Sequence, residues 1–425
     1  MKSKTYFGEY SLKHWLNLIL KRNIVLPDYQ RSFVWNPQDV ERLIHSFITG
    51  QFIQPITIAR MNSINNGTNI ILDGQQRLTS ILLLALGFFP KKERFREQLT
   101  DASEDDSDEP DETLLTNNII DWTFERILKR DFSLNSLAEI RGRLLIDENY
   151  ENLPFKNHDY LMTGDTLSEF LDNNFLGFSY IVPDQADRDS EQEFFSTLFR
   201  NMNYLGQKLS TLESRKSLYY LNDEYKDYFE GRLADGSDAL AGLKIIENVA
   251  PRKIDFVRYL SMLSQYDERT KARKIMVGYS AYSSRESFYV DYVSYILGLE
   301  QEDRTNKFDR FNISTTFGEE GWQPRFERLQ HTIEDLKVNM NLDTKFPDAF
   351  RSWIDADYWL FGLIYWIVFK DKSIDLSTNW TPKLIAAIRK KKRTSNDSYV
   401  RAPNMLGHLR TRIERSIELF KKHII

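Results

Sequence analysis

The chain contains no cysteine. Disulfides, thiolate metal sites and cysteine nucleophiles are excluded together, and the composition suits a reducing compartment. Histidine is scarce. His14, His45, His158, His331, His408 and His423 are scattered, and no two stand at a metal-ligand spacing. The signature of a histidine–metal finger nuclease is therefore missing. Neither charge dominates: the net charge is −5 over 425 residues. Contact with nucleic acid then requires a local basic patch rather than a basic whole. Long apolar runs are missing too. The most apolar stretch, residues 358–369, covers only 12 residues, short of a bilayer span. The opening Met1-Lys2-Ser3-Lys4-Thr5-Tyr6 has no apolar signal core. These absences predict a soluble, cytoplasmic protein.

What is present supports a large core. Hydrophobic residues make up 41% of the chain and aromatics 13%, which excludes a disordered chain. The length suits two or three domains. Apolar spacing predicts a helix over residues 8–22, then a short strand at Ile24–Leu26 closed by Pro27. Asn36 and Pro37 read as the cap and first turn of a second helix, which Gly50 ends. Strands follow at residues 55–60 and 69–72, joined by a hairpin at Asn65-Asn66-Gly67. The block at residues 101–112 has eight acidic positions in twelve and reads as a flexible, solvated loop. Beyond Ile119 helical patterns dominate, interrupted by a strand at residues 177–183. A long helix is expected over 190–202, another over 211–229, and helices over most of 236–300, 325–338, 347–370, 380–393 and 403–423.

Three segments carry candidate chemistry. In Ile70-Ile71-Leu72-Asp73-Gly74-Gln75-Gln76-Arg77-Leu78-Thr79, a strand runs through Asp-Gly into a helical pattern. That places Gln75 to Arg77 in a first helical turn, where backbone N–H groups and the helix dipole favour an anion. A guanidinium and two carboxamides add side chains suited to oxyanions. The alternative is a plain turn with Asp73 as its cap. The second segment, Asp28-Tyr29-Gln30-Arg31-Ser32-Phe33-Val34-Trp35, sets aromatics beside Arg and Gln, as base stacking and phosphate contact require. Its aromatics also read as core anchors. The third runs from Phe194 through Arg200-Asn201-Met202-Asn203 and Gly206 to Ser210, Glu213 and Arg215. It reads as a helix end, a glycine turn and a capping box.

In this order, L-P-x-Y-Q-R-x-F-x-W, D-G-Q-Q-R-L-T and F-x-R-x-N-x-x-G-x-x-L-S-x-x-E-x-R resemble the N-terminal domain of GmrSD-type restriction enzymes, over residues 10 to about 225. The resemblance implies an α+β protein. A small mixed ParB/sulfiredoxin-like N-terminal domain would be followed by a mostly α-helical C-terminal region. It implies a nucleotide-binding domain at 1–100, the acidic loop at 101–118, helical completion of that domain at 119–230 and a helical domain at 231–425. It further implies antiphage defence, with binding and hydrolysis of GTP or ATP and Mg²⁺ at the DGQQR pocket. Asp73, Gln76 and Arg77 would be catalytic, with Asp73 the metal ligand. Tyr29, Gln30, Arg31, Gly74, Gln75, Arg77, Arg200 and Asn203 would line the nucleotide site. Two departures stand out. Asn203-Tyr204-Leu205-Gly206 replaces the usual Asn-Thr-Gly-Gly type of turn, and one glycine is less free to approach a phosphate. The His-Asn-His-like nuclease domain fused to some members has no counterpart: His331, His408 and His423 each stand alone.

The expected partners are accordingly DNA and a separate nuclease or defence subunit, with a homo-oligomer also open and no membrane contact. Arg389-Lys390-Lys391-Lys392-Arg393 is a basic run able to neutralise phosphates, or simply a solvated helix end. Trp353, Trp359 and Trp366 read as helical core. Two other readings remain: a metal-dependent DNA nickase using the same pocket, and a non-enzymatic scaffold for DNA or a partner.

Overall fold

The computed structural model describes residues 3–27, 33–61, 68–95, 122–153, 166–183, 191, 194–195, 198, 211–219, 222–247, 250–279, 285–299, 308–339, 349–377, 381–394 and 405–425. The described residues fall into two compact units, one ending at Tyr219 and one starting at Asn222. The architecture is α+β, with a mixed sheet in the N-terminal unit and helices dominant in the C-terminal one.

The N-terminal unit is built on a five-stranded sheet of β1 (Ser3–Ser11), β2 (Ile24–Val25), β3 (Ile56–Met61), β4 (Thr68–Asp73) and β7 (Phe175–Pro183), in the order β1-β7-β3-β4-β2. β1 runs antiparallel to β7, β7 parallel to β3, β3 antiparallel to β4, and β4 parallel to β2. A second sheet pairs β5 (Phe88–Pro90) with β6 (Tyr150–Asn152). Helices α1 (Leu12–Leu20), α2 (Pro37–Ile48) and α3 (Gln75–Leu86) pack into one core with Ile56, Ile58 and Ile71. α3 is buried on nearly every side, and only Arg77 in it escapes full burial. A helix apolar all round belongs at the centre of a unit. α4 (Lys92–Phe95), α5 (Leu137–Leu145), α6 (Leu167–Asn173) and α7 (Thr211–Tyr219) complete this unit.

The C-terminal unit holds α8 (Asp223–Glu230), α9 (Phe256–Ser264), α10 (Arg285–Ile296), α11 (Ile313–Phe317), α12 (Gln323–Asn339), α13 (Trp353–Ile364), α14 (Thr381–Thr394) and α15 (Leu406–Lys421). α13 continues into a π-helical stretch, Tyr365–Phe369. A small sheet of β8 (Lys244–Glu247), β9 (Ala250–Lys253) and β10 (Ala349–Phe350) lies among them. Trp353, Trp359 and Trp366 are all buried, as their helical spacing predicts.

Several boundaries differ from the sequence reading. The predicted helix over 8–22 begins only at Leu12, because Tyr6, Gly8 and Tyr10 pair with Tyr180, Phe178 and Leu176 of β7. Cross-strand pairing overrides local periodicity there, and Ser11 then caps α1 through His14 N. The helical stretch expected over 236–300 contains the β8–β9 hairpin, and the helix expected from 347 is preceded by β10. The helix expected over 211–229 is two helices, since Asn222 caps α8 by accepting from Tyr225 N. The expected cap at Asn36 is present as a full capping box with Asp39. Asn65-Asn66-Gly67, the acidic block and most of 190–202 lie outside the described residues.

Candidate functional site

The sheet topology brings several chain segments to one end. β2 and β4 run parallel, with Ile24 opposite Asn69 and Val25 opposite Ile70. The chain therefore leaves β2 at Leu26 and β4 at Asp73 on the same side. β3 runs the other way and begins there, with Thr57 opposite Asp73 and a register shift between Thr57 and Ile58. Register irregularities of this kind commonly re-aim side chains beside sites. Gln54 and Pro55 lead into β3 at this end.

Gly74 turns β4 into α3. Its φ is +99°, in the left-handed region, and a Cβ there would collide with Ile56 Cδ1. Glycine is thus required twice over, by backbone conformation and by space. α1, α2, α5 and α6 start on Ser11, Asn36, Ser136 and Thr166, whose side chains cap them. α3 starts on a residue that has no side chain to do so. Asp73 is not its cap.

Arg77 folds back over this turn. Its Nη2 lies 2.8 Å from Asp73 Oδ2 and 3.4 Å from Pro55 O, and its Nη1 lies 3.3 Å from Gln54 Oε1. The Arg77 side chain is 12% exposed and that of Asp73 30%. Arg77 Nε is buried and has no hydrogen-bond partner among the described residues; the same holds for Thr79 Oγ1 two residues on. Buried donors in native proteins are nearly always paired with protein, water or a ligand.

Gln75 and Gln76 are both buried. Gln76 Oε1 accepts from Val34 N at 2.9 Å and from Trp35 N at 3.4 Å. Ser80 Oγ donates to Gln76 O at 2.8 Å, inside the helix. Gln76 thereby joins the DGQQR turn to the downstream end of the Tyr29-Gln30-Arg31 segment. Tyr29, Gln30 and Arg31 themselves lie outside the described residues, but both flanks are tied down. Leu26 N donates to Glu125 Oε1 at 3.3 Å, and Arg22 pairs with the same carboxylate at 3.0 Å. Phe33 is fully buried and its N donates to Trp122 O at 2.7 Å. Arg200, Asn201 and Asn203 also lie outside the described residues. Arg215, from the end of the third motif, is buried on α7. Sequence reasoning missed Gln54 and the amides of Val34 and Trp35. The only local hint was a polar residue ahead of Pro55, because the contacts span 23 and 42 residues.

Asp73 is a single carboxylate already engaged by Arg77. Among the described residues no group of three or more acids and histidines could hold a metal ion. That donor set fits Mg²⁺ only in its usual nucleotide-bound form, with one protein carboxylate and the rest phosphate and water. The run Arg389–Arg393 falls in the C-terminal part of α14, and Lys390 is exposed. His331 is exposed, 3.6 Å from Glu334. No helix among the described residues is long and apolar enough to cross a membrane.

Residues 12–220 match the family model described as the N-terminal domain of GmrSD restriction endonuclease. The match spans all three motifs. The chain is also similar to an uncharacterized protein of Methanocaldococcus jannaschii, with 27% identity over 268 residues. That region is 53% of this chain and 45% of the relative, so less than half of the relative's length is matched. No solved structure matches significantly.

Proposed function

Residues 12–220 belong to the N-terminal domain family of GmrSD restriction endonucleases, and from that premise we propose that this restriction-type defence protein binds and hydrolyses a nucleoside triphosphate at the Gly74 turn. The observation that carries the reading is Arg77. It is a nearly buried guanidinium folded over a helix start without a side-chain cap, with one N–H unpartnered among the described residues. A phosphate at such a helix start meets backbone donors and the positive pole of α3. Arg77 then exchanges Asp73 for phosphate oxygens, which it grips with its planar fork.

That exchange releases Asp73. Its carboxylate is the residue that would hold Mg²⁺ arriving with the nucleotide, and the ion's contribution is to neutralise phosphate charge. In the reaction, water attacks the γ-phosphorus, the bond to the β–γ bridging oxygen breaks, and nucleoside diphosphate and phosphate leave. The protein's part is positioning and charge stabilisation, as phosphoryl transfer chiefly requires. Gly74 and Gln75 line the phosphate side, and Tyr29, Gln30, Arg31, Arg200 and Asn203 are assigned to the rest of the pocket by their motifs. DNA phosphates are assigned to the basic run around Lys390, and a separate nuclease subunit to the cutting step.

Calorimetric titration with Mg²⁺·GTP and Mg²⁺·ATP, together with phosphate release with and without DNA, tests this. Wild type should bind and turn over at least one of the two. Arg77→Ala should weaken binding at least tenfold and remove turnover, while Arg77→Lys should recover part of the binding only. Absence of nucleotide binding by wild type, or unchanged turnover in Arg77→Ala, would sink the proposal.

A further inference from the structure

We infer that Gln76 is a positioning residue, a buried strut that ties the start of α3 to the chain between Phe33 and Asn36. The consequence for the nucleotide pocket rests on the function proposed above; the strut itself does not.

The backbone N–H groups of Phe33, Val34, Trp35 and Asn36 belong to no helix or strand, so each needs an acceptor from elsewhere. Their acceptors are Trp122 O at 2.7 Å, Gln76 Oε1 at 2.9 Å, the same Gln76 Oε1 at 3.4 Å, and Asp39 Oδ2 at 2.9 Å. Two of four consecutive amides thus depend on one side-chain atom. Gln76 is 6% exposed, so water is a poor substitute if that atom is lost. A carboxamide oxygen offers two lone pairs, and both are engaged here. Gln76 Oε1 therefore has no free lone pair left to accept from an attacking water.

The strut lies between two functional segments. On one side, the next residue is Arg77, which contacts Asp73, Gln54 and Pro55. On the other side, the chain just upstream of Phe33 carries Tyr29, Gln30 and Arg31, and the chain just downstream begins α2 at its Asn36 cap. Through Gln76, the start of α3 is tied to the chain that follows the YQR segment. Gln75 is equally buried, at 6% exposure; Gln76 is the one whose carboxamide oxygen carries the Val34 and Trp35 amides.

Hydrogen–deuterium exchange of the full chain, read on peptides covering residues 33–36, tests the strut directly. Gln76→Glu keeps acceptor oxygens at the same reach and should leave exchange within twofold of wild type. Gln76→Met matches the volume but has no acceptor, and should speed exchange at Val34 and Trp35 about tenfold or more. Gln76→Asn, one methylene shorter, should lie between them and serves if the Met variant does not fold. Kinetics supply the second readout. Gln76→Met should raise KM for nucleotide at least tenfold with kcat within about threefold, and Gln76→Glu should restore KM. Unchanged exchange in Gln76→Met overturns the strut. So does a Gln76→Glu variant with normal exchange and KM but a kcat lowered a hundredfold, which would make Gln76 catalytic. If wild type binds no nucleotide, the function proposed above fails, while the exchange experiment still decides the strut.

Discussion

Two constraints meet on Gly74. Its left-handed φ disfavours any side chain by roughly 1–2 kcal/mol, and Ile56 Cδ1 occupies the place a Cβ would take. Arg77 Nη2 stands 3.2 Å from that same place, so a methyl group would also press on the guanidinium. Gly74→Ala should therefore lower stability by about 2–4 kcal/mol, adding overpacking to the backbone cost. It should also weaken nucleotide binding beyond what the lost stability explains. Urea titration and calorimetric binding on the same preparation separate the two effects. Asp73 behaves differently. As Arg77's partner it holds the guanidinium ready, and Asp73→Asn should keep metal-free nucleotide binding while losing Mg²⁺-dependent turnover, a split visible in titrations with and without EDTA.

At the scale of elements, α13 shows how one side chain joins two helices. Gly362 N and Tyr358 O stand at the i, i−4 positions that normally bond each other. Gly362 N donates to Ser416 Oγ at 2.7 Å, and Ser416 Oγ donates to Tyr358 O at 2.7 Å. The hydroxyl of α15 thus bridges two backbone groups of α13 that stand one turn apart. One turn later the helix widens into the π stretch Tyr365–Phe369. Close approach needs a glycine: a Cβ on Gly362 would meet Ser416 O at 2.7 Å and the Phe420 ring. Ser416→Ala should cost about 1–3 kcal/mol, because it removes a hydrogen-bond partner from two buried backbone groups. Denaturant unfolding followed by the fluorescence of Trp359 and Trp366 checks this.

On the scale of the whole molecule, a buried charge cluster among the described residues ties stability to pH. In the C-terminal unit, Asp357 is fully buried, with Arg258 bidentate at 2.6 and 3.1 Å, Arg412 Nε at 2.7 Å and Tyr259 OH at 3.1 Å. Arg258 also lies over the rings of Trp353, Tyr259 and Phe361. Burial pushes the Asp357 carboxyl up, but the two guanidiniums outweigh it and hold it below its ordinary value. A depressed folded pKa contributes stability that is present above the unfolded pKa and is lost as pH falls through the folded one. Stability of this unit should therefore hold near neutrality and fall below about pH 4. Asp357→Asn should bring part of that loss to neutral pH, at about 3–5 kcal/mol, by leaving two buried cations without their counter-ion. Urea midpoints of both proteins from pH 3 to pH 7 provide the comparison, and the gap should narrow toward the acid end.

The amino-acid sequence by itself determined what short-range physics controls. Asn36-Pro37 announced a capped helix start, Asp73-Gly74 a strand-to-helix turn, and the tryptophan spacing a buried helix, because caps, left-handed glycines and apolar stripes act over one or two turns. The order of the three motifs was likewise enough to point to the family that residues 12–220 match. Only the tertiary structure decided what depends on distant partners. β1 is a strand because β7, more than 160 residues away in sequence, offers it an edge to pair with. Arg77 is held by Asp73, Gln54 and Pro55 rather than left in solvent. Gln76 faces inward to Val34 and Trp35, although nothing in the local string Asp-Gly-Gln-Gln-Arg distinguishes it from Gln75. A strand-to-helix turn can thus be read from neighbours in the chain, but the role of each side chain within it follows from which backbone groups the fold leaves in need of a partner.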